Sequence, residues 1–152
     1  MSEKHNRSLH STGYAGEFKN PEKFINQLFA AIKDEASAVE FYTVLEKETG
    51  GQYRDFVTHA KEDEMKHVRM FRRLYFKLTG HYANVMPAVT EFSSYRQGIE
   101  IAFRRELDAA ERYRDMYLST KNPLIRDVLF RAMTDEIEHA QRFSFLNAQP
   151  NI

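Results

Sequence analysis

The string Lys61-Glu62-Asp63-Glu64-Met65-Lys66-His67-Val68 sets a carboxylate and an imidazole three residues apart, and Asp135-Glu136-Ile137-Glu138-His139 repeats the spacing. At i, i+3 on a helix both side chains leave one face, so each helix offers a carboxylate oxygen and a ring nitrogen to a shared point. The surrounding residues make that face an inward one. Tyr53, Val57, Ala60, Phe71, Leu74 and Leu78 recur in steps of four and three, and the same count lands on Glu64 and His67. Ile125, Leu129, Ala132, Phe143 and Leu146 do the same around Glu136 and His139. An unpaired charge on a buried face costs several kcal/mol or is neutralised by a shifted pKa, so something must compensate these groups.

Two further helical patterns each carry one inward glutamate. Ile25, Leu28, Ile32, Val39 and Tyr42 form a seam whose odd member is Glu35, and Ile99, Phe103, Ala110, Tyr113 and Tyr117 form one whose odd member is Glu106. Glu35-Ala-Ser-Ala-Val-Glu40-Phe-Tyr42 lies over Glu106-Leu-Asp-Ala-Ala-Glu111-Arg-Tyr113, at an offset of 71 residues, against 72 for the E-x-x-H pair. The chain therefore reads as two related helical hairpins. Four carboxylates and two imidazoles suit a pair of first-row metal ions, and two ferrous ions would bring the cluster near neutrality. Glu35 and His67 are expected on one ion, Glu106 and His139 on the other, with Glu64 and Glu136 bridging. Hard oxygen and imidazole donors favour iron, with manganese second and zinc a poorer fit. The chemistry implied is oxidation of Fe(II) with reduction of dioxygen or peroxide.

Neighbouring residues carry smaller expectations. Tyr42 and Tyr113, on the same seams, can hydrogen-bond the glutamates or pass electrons, with a plain core role as the equal alternative. Asp63 and Asp135 can orient the opposite helix's histidine, though a solvated flank is the commoner fate of such residues. Glu40, Glu111 and His59 lie off the seams and are expected at the surface.

The helices that position these groups have their own signals. Asn20-Pro21 and Asn122-Pro123 pair a capping residue with proline at the first helical position. The first helix is expected to run to about Glu48, the second from Gln52 to Thr79, the third from Glu91 to Ser119 and the fourth to Asn147. Gly50-Gly51 and Gly80 end the first two. A helix of some 28 residues spans about 42 Å, and an extended linker of 11 to 13 residues reaches roughly 36 to 45 Å. The segment after Gly80 can thus return along the whole bundle. Residues 1–19 lack periodicity and read as a mobile arm, with His5 and His10 on a solvated tail, and 20–149 read as the bundle.

Composition excludes several function classes. With 22 basic and 22 acidic residues, no global field draws the chain to nucleic acid or an anionic membrane. No cysteine is present, which excludes disulfides and a thiolate-bound iron site. The N-terminal stretch has no apolar run suited to a signal peptide, no segment suits a bilayer span, and a soluble cytoplasmic protein is the expectation.

Over roughly residues 21–147 the sequence resembles the bacterioferritin and rubrerythrin branch of the ferritin-like superfamily. Asp63-Glu64-Met65-Lys66-His67 looks like the bacterioferritin motif of the second helix, and Glu106-Leu107-Asp108 like its third-helix counterpart. The resemblance implies an all-α, ferritin-like four-helix bundle with a long crossover. It implies metal ligands at Glu35, Glu64, His67, Glu106, Glu136 and His139, and ferroxidase or peroxidase activity in iron handling or oxidative stress. A homodimer is the family expectation. Met65 matches the methionine that ligates haem between bacterioferritin subunits, against the commoner role of a packing side chain. The chain departs from the pattern in three places. Only 13 residues follow His139, too few for the fifth helix of ferritin cages. Ala109 stands where rubrerythrins typically place a further glutamate, and the cysteines of a rubredoxin part are lacking. An iron-storage protein and a stress- or coat-associated bundle with structural metal are the competing readings.

Overall fold

Asn20 and Asn122 each precede a proline, and each caps a helix in the computed structural model, which describes residues 12–14 and 16–150. The Asn20 side chain accepts the Lys23 amide at 2.9 Å and that of Asn122 accepts Ile125 at 3.1 Å. The two helices are α1, Pro21–Glu48, and α4, Pro123–Asn147. Between them lie α2, Arg54–Thr79, and α3, Tyr95–Ser119. Gly51, at φ +33°, opens the tight 3-10 turn into α2, and Gly80, at φ +72°, closes α2 with its amide on the Phe76 carbonyl at 2.8 Å. Both are backbone conformations that glycine adopts at least cost.

Two helix starts differ from the sequence expectation: α2 begins at Arg54 rather than Gln52, after the 3-10 turn Gly51–Tyr53, and α3 differs by more. The third helix starts at Tyr95 rather than Glu91, because Phe92 turns inward edge-on to Phe41, with ring centroids 5.5 Å apart, and holds the chain extended. Ser94 then caps the helix by accepting the Gln97 amide at 3.2 Å.

Cross-helix contacts give the helix directions. Lys61 pairs with Glu46, and Arg96 donates to the Asn147 carbonyl at 2.9 Å, so α1 and α2 are antiparallel, as are α3 and α4. Tyr42 reaches Glu106 while Tyr113 reaches Glu35, so α1 and α3 are antiparallel as well. It follows that α2 and α3 are parallel, and the segment between them has to travel the length of the bundle. It runs along α1: Ala83 is buried, and the Ala88 amide donates to Ser37 Oγ at 2.8 Å. This is the ferritin-like bundle of two hairpins joined by a crossover. Among the described residues there is no strand, only an isolated bridge between Phe18 and Thr120, and no helix is long and apolar enough to cross a membrane.

That bridge shortens the expected arm. Most of residues 1–19, with His5 and His10, lies outside the described residues, but Glu17 to Lys19 are pinned. Lys19 N–H meets the Ser119 carbonyl at 2.9 Å, and Lys121 N–H meets that of Glu17 at 2.7 Å. Phe18 is buried against Phe24 at 4.6 Å. A single phenylalanine in a polar run has no periodicity to announce it, yet burying its ring outweighs the freedom lost by so short a segment.

The apolar core is in two parts. Near one end Phe24, Leu28, Phe71, Leu78, Met116 and Leu129 pack together; near the other Phe41, Leu45, Val57, Ile99, Phe143 and Leu146 do so. The second part is tight where α3 begins. A Cβ on Gly98 would lie 2.7 Å from Leu45 Cδ1 and 3.2 Å from Phe92 Cδ2. Gly98→Val is therefore expected to destabilise the fold by roughly 1–3 kcal/mol, overpacking outweighing the gain in helix propensity. Urea unfolding measures this, and a variant as stable as the parent would contradict it.

Candidate metal centre

The layer between the two apolar clusters is polar. Glu35 projects into it from α1, Glu64 and His67 from α2, Glu106 from α3, and Glu136 and His139 from α4, none more than 3% exposed. His67 Nδ1 lies 3.1 Å from Glu136 Oε1, 3.3 Å from Glu64 Oε2 and 3.7 Å from Glu35 Oε2. His139 Nδ1 lies 3.4 Å from Glu64 Oε1 and 3.5 Å from both Glu106 Oε2 and Glu136 Oε2. The donor atoms form two sets, Glu35/Glu64/His67/Glu136 and Glu64/Glu106/Glu136/His139, each within 4.8 Å. Glu64 and Glu136 belong to both, the sharing expected from the sequence.

Whether a pair of cations fits these residues is decided by what the donors lack. Glu64 Oε1, Glu136 Oε1 and His139 Nδ1 are buried and make no hydrogen bond, although Glu136 Oε1 lies 3.1 Å from His67 Nδ1 and Glu64 Oε1 3.4 Å from His139 Nδ1. Such atoms cost about 1–3 kcal/mol each when left unsatisfied. They belong to residues of the two donor sets, Glu136 Oε1 beside His67 and Glu64 Oε1 beside His139, where a pair of cations would satisfy all three. The two sets resemble the sites of dinuclear carboxylate proteins.

Each imidazole is held from behind. His67 Nε2 meets Asp135 Oδ2 at 3.0 Å, and His139 Nε2 meets Asp63 Oδ2 at 3.1 Å. A carboxylate that accepts a hydrogen bond from Nε2–H leaves Nδ1 facing the cluster. Of the two fates open to Asp63 and Asp135, the orienting one is observed, and Asp63 is buried. The tyrosines brace the remaining carboxylates by crossing the groove between α1 and α3. Tyr42 Oη donates to Glu106 and Tyr113 Oη to Glu35. Burial raises both phenol pKa values, as does the adjacent carboxylate, so both remain donors.

Crowding four carboxyls together also redistributes protons. Burial alone would raise Glu35, but hydrogen bonds from Glu64, His67 and Tyr113 hold it down at about 2. Glu64 is pushed up to about 8 by burial and by the charges of Glu35 and Glu106. Glu136 is raised by burial and by Glu64. Burial would lower His67 and His139, yet the carboxylates around them win and both are raised. Free of metal, the cluster thus keeps protons on Glu64, Glu136 and the imidazoles.

His59 is at the surface as expected but makes contacts that the seams do not announce. Its side chain is 41% exposed, but Nε2 lies 3.1 Å from Asp63 Oδ2, and its ring stands edge-on to His139 at 5.9 Å. The available signal was its i, i+4 spacing to Asp63. Glu40 and Glu111 are at the surface, as expected. Met65 is 43% exposed and belongs to neither donor set.

Between α1 and α3 a cavity of about 200 Å³ opens over the four glutamates. Ala38 and Ala109 line it, so the alanine at 109 leaves room above the cluster. Arg112, paired with Asp34, and Arg105, over the Phe41 ring at 5.3 Å, also line it.

Comparisons with known proteins bear on the family and the fold. The family model described as Rubrerythrin matches residues 26–147. A Bacillus subtilis (strain 168) protein described as uncharacterized protein YhjR is 30% identical over 135 residues, spanning 87% of this chain and 92% of its own. Among solved structures, one described as ferritin like, diiron-carboxylate proteins from Bacillus anthracis superposes with a TM-score of 0.70 at 21% identity, covering 83% of this chain and 96% of that one. The bacterioferritin BfrA of Mycobacterium tuberculosis gives 0.69 at 17%, covering 85% and 86%.

Proposed function

The chain belongs to the rubrerythrin family, and from that premise we propose that it is a di-iron carboxylate oxidoreductase, oxidising Fe(II) at the expense of peroxide or dioxygen in iron handling or oxidative-stress defence. Its ligands are Glu35, Glu64, His67, Glu106, Glu136 and His139, with Glu64 and Glu136 shared. The observation that carries the proposal is the pair of donor sets meeting at those two carboxylates, with buried atoms on Glu64, Glu136 and His139 that make no hydrogen bond. Oxygen and imidazole donors without thiolate favour iron or manganese over zinc.

An iron pair, when bound, supplies two electrons, the number that takes hydrogen peroxide and two protons to two waters. The protein's own residues do the rest. Asp63 and Asp135 fix the imidazoles, and Tyr42 and Tyr113 fix Glu106 and Glu35, so the donors are set before metal arrives. The apolar clusters on either side keep bulk water from the layer. The cavity beside Ala38 and Ala109 admits a small oxidant.

Anaerobic titration with Fe(II) is expected to saturate at two ions per chain. One equivalent of peroxide then converts both to the ferric state, followed by near-ultraviolet absorption. Two ions bound with no oxidation would leave a structural metal instead, and no binding would end the proposal. A homodimer goes with this reading, and a solution mass of twice 17.9 kDa tests it.

A further inference from the structure

The two halves of the chain place equivalent groups around the cluster, and one equivalence is broken. At offsets of 71 and 72 residues Glu35 corresponds to Glu106, Tyr42 to Tyr113, Asp63 to Asp135, Glu64 to Glu136 and His67 to His139. Each half also supplies the same hydrogen bonds to the other. The aspartates behind the histidines are nevertheless held differently.

Asp63 Oδ2 meets His139 Nε2 at 3.1 Å and His59 Nε2 at 3.1 Å, while its Oδ1 accepts Lys66 Nζ at 2.7 Å. Its side chain is 10% exposed. Asp135 meets His67 Nε2 at 3.0 Å, is 29% exposed, and has no other cationic partner within 4 Å among the described residues. The positions equivalent to His59 and Lys66 are Arg131, which is exposed, and Glu138, which cannot donate and pairs with Arg142. His59 in addition sets its ring against the His139 ring at an interplanar angle of 83°.

We infer that His59 is a positioning residue that makes the two metal positions unequal. The Glu64/Glu106/Glu136/His139 position is the tight one, and the Glu35/Glu64/Glu136/His67 position is weaker and exchangeable, so the pair loads in sequence. A carboxylate hydrogen-bonded by Lys66 and His139, with His59 Nε2 a further 3.1 Å contact on the same oxygen, is hindered from turning away from His139, which arrives with its ring already oriented and loses little freedom on binding a cation. Asp135, with one donor and partial exposure, exchanges its hydrogen bond with water and orients His67 less strictly. Sharing Asp63 among donors also draws charge from His139. The partner behind a metal-bound histidine is nonetheless worth about 10–100-fold in affinity when lost, and since Asp63 stays in place when His59 is removed, that range bounds the effect from above. The inference rests on the proposal that these residues bind two ions.

Anaerobic titration with Co(II), followed by its visible bands and by heat, tests it. The parent protein is expected to take two ions in two steps at least about tenfold apart. His139→Ala removes the tight step and His67→Ala the weak one. His59→Ala, at a partly exposed position, still takes two ions, but its first step weakens by up to about tenfold and the steps draw together. His59→Gln, whose amide can still donate to Asp63, restores part of the gap. Steps unchanged in His59→Ala would overturn the inference, as would a parent stoichiometry of three that falls to two in that variant, since His59 would then be a ligand. Failure of the parent to bind Co(II) at all would sink the underlying proposal, a distinguishable result.

Discussion

Loading with Fe(II), or with Co(II) in its place, is expected to raise the melting temperature of this protein by roughly 8–16 °C, and Glu64→Gln is expected to remove that rise without weakening the metal-free fold. A ligand that binds only the folded state at a thousand times its dissociation constant contributes about 4 kcal/mol. In a domain of this size each kcal/mol shifts the midpoint by about 2–4 °C. Glu64 is a donor in both sets, so neutralising it weakens both positions at once, whereas Glu35→Gln touches one set and keeps part of the rise. The metal-free variant stays folded because ionising Glu64 is costly in its buried surroundings, where its pKa is pushed up to about 8. An amide of the same shape never incurs that cost, and above neutral pH the metal-free variant is expected to melt no lower than the parent. Thermal unfolding with and without metal decides it. A full metal-induced rise in Glu64→Gln would mean that the shared carboxylate is not a ligand.

Acidity moves metal-free stability and metal affinity in opposite directions. The pKa of Glu64 is about 8 in the folded protein against an ordinary 4.5, so between those values the native state keeps a proton that the unfolded chain has released. Stability from this group therefore falls as pH rises from 4.5 to 8, and Glu136 acts with the same sign. The raised imidazoles of His67 and His139 add stability that is complete below their ordinary 6.5 and is lost as pH climbs above it. Glu35, held at about 2, works on the other side, with a contribution present above 4.5 and lost as pH falls toward 2. Melting of the metal-free protein should thus be highest at mildly acid pH and decline toward pH 8. Metal binding must expel the same protons, so affinity should rise over that interval by roughly tenfold per pH unit for each proton displaced. Melts at several pH values, with calorimetry in buffers of different ionisation enthalpy to count released protons, test both halves. Affinity independent of pH would contradict the proton-loaded cluster.

The six residues that meet in the polar layer were legible in the chain because their signal is local. A glutamate or histidine that falls on an otherwise apolar seam of period 3.6 declares itself within its own helix, and four helices each carried one or two. The Asn-Pro starts were local too, and the crossover followed from comparing the reach of a linker with the length of a helix. What lay beyond the sequence depends on how helices distant in the chain slide past and turn against one another. Tyr42 meets Glu106 rather than Glu35, Asp63 meets His139, and Ala38 and Ala109 open a cavity together only at one axial register of α1 on α3 and of α2 on α4. Moving one residue along a helix shifts a side chain by about 1.5 Å and turns it by about 100°, enough to break every one of those contacts. That register is decided by how the two apolar clusters interdigitate, and the same packing draws in Phe18, delays α3 to Tyr95 and sets the His59 ring against His139. Residue types thus determined which groups must share a dry layer, and tertiary packing alone decided which of them touch.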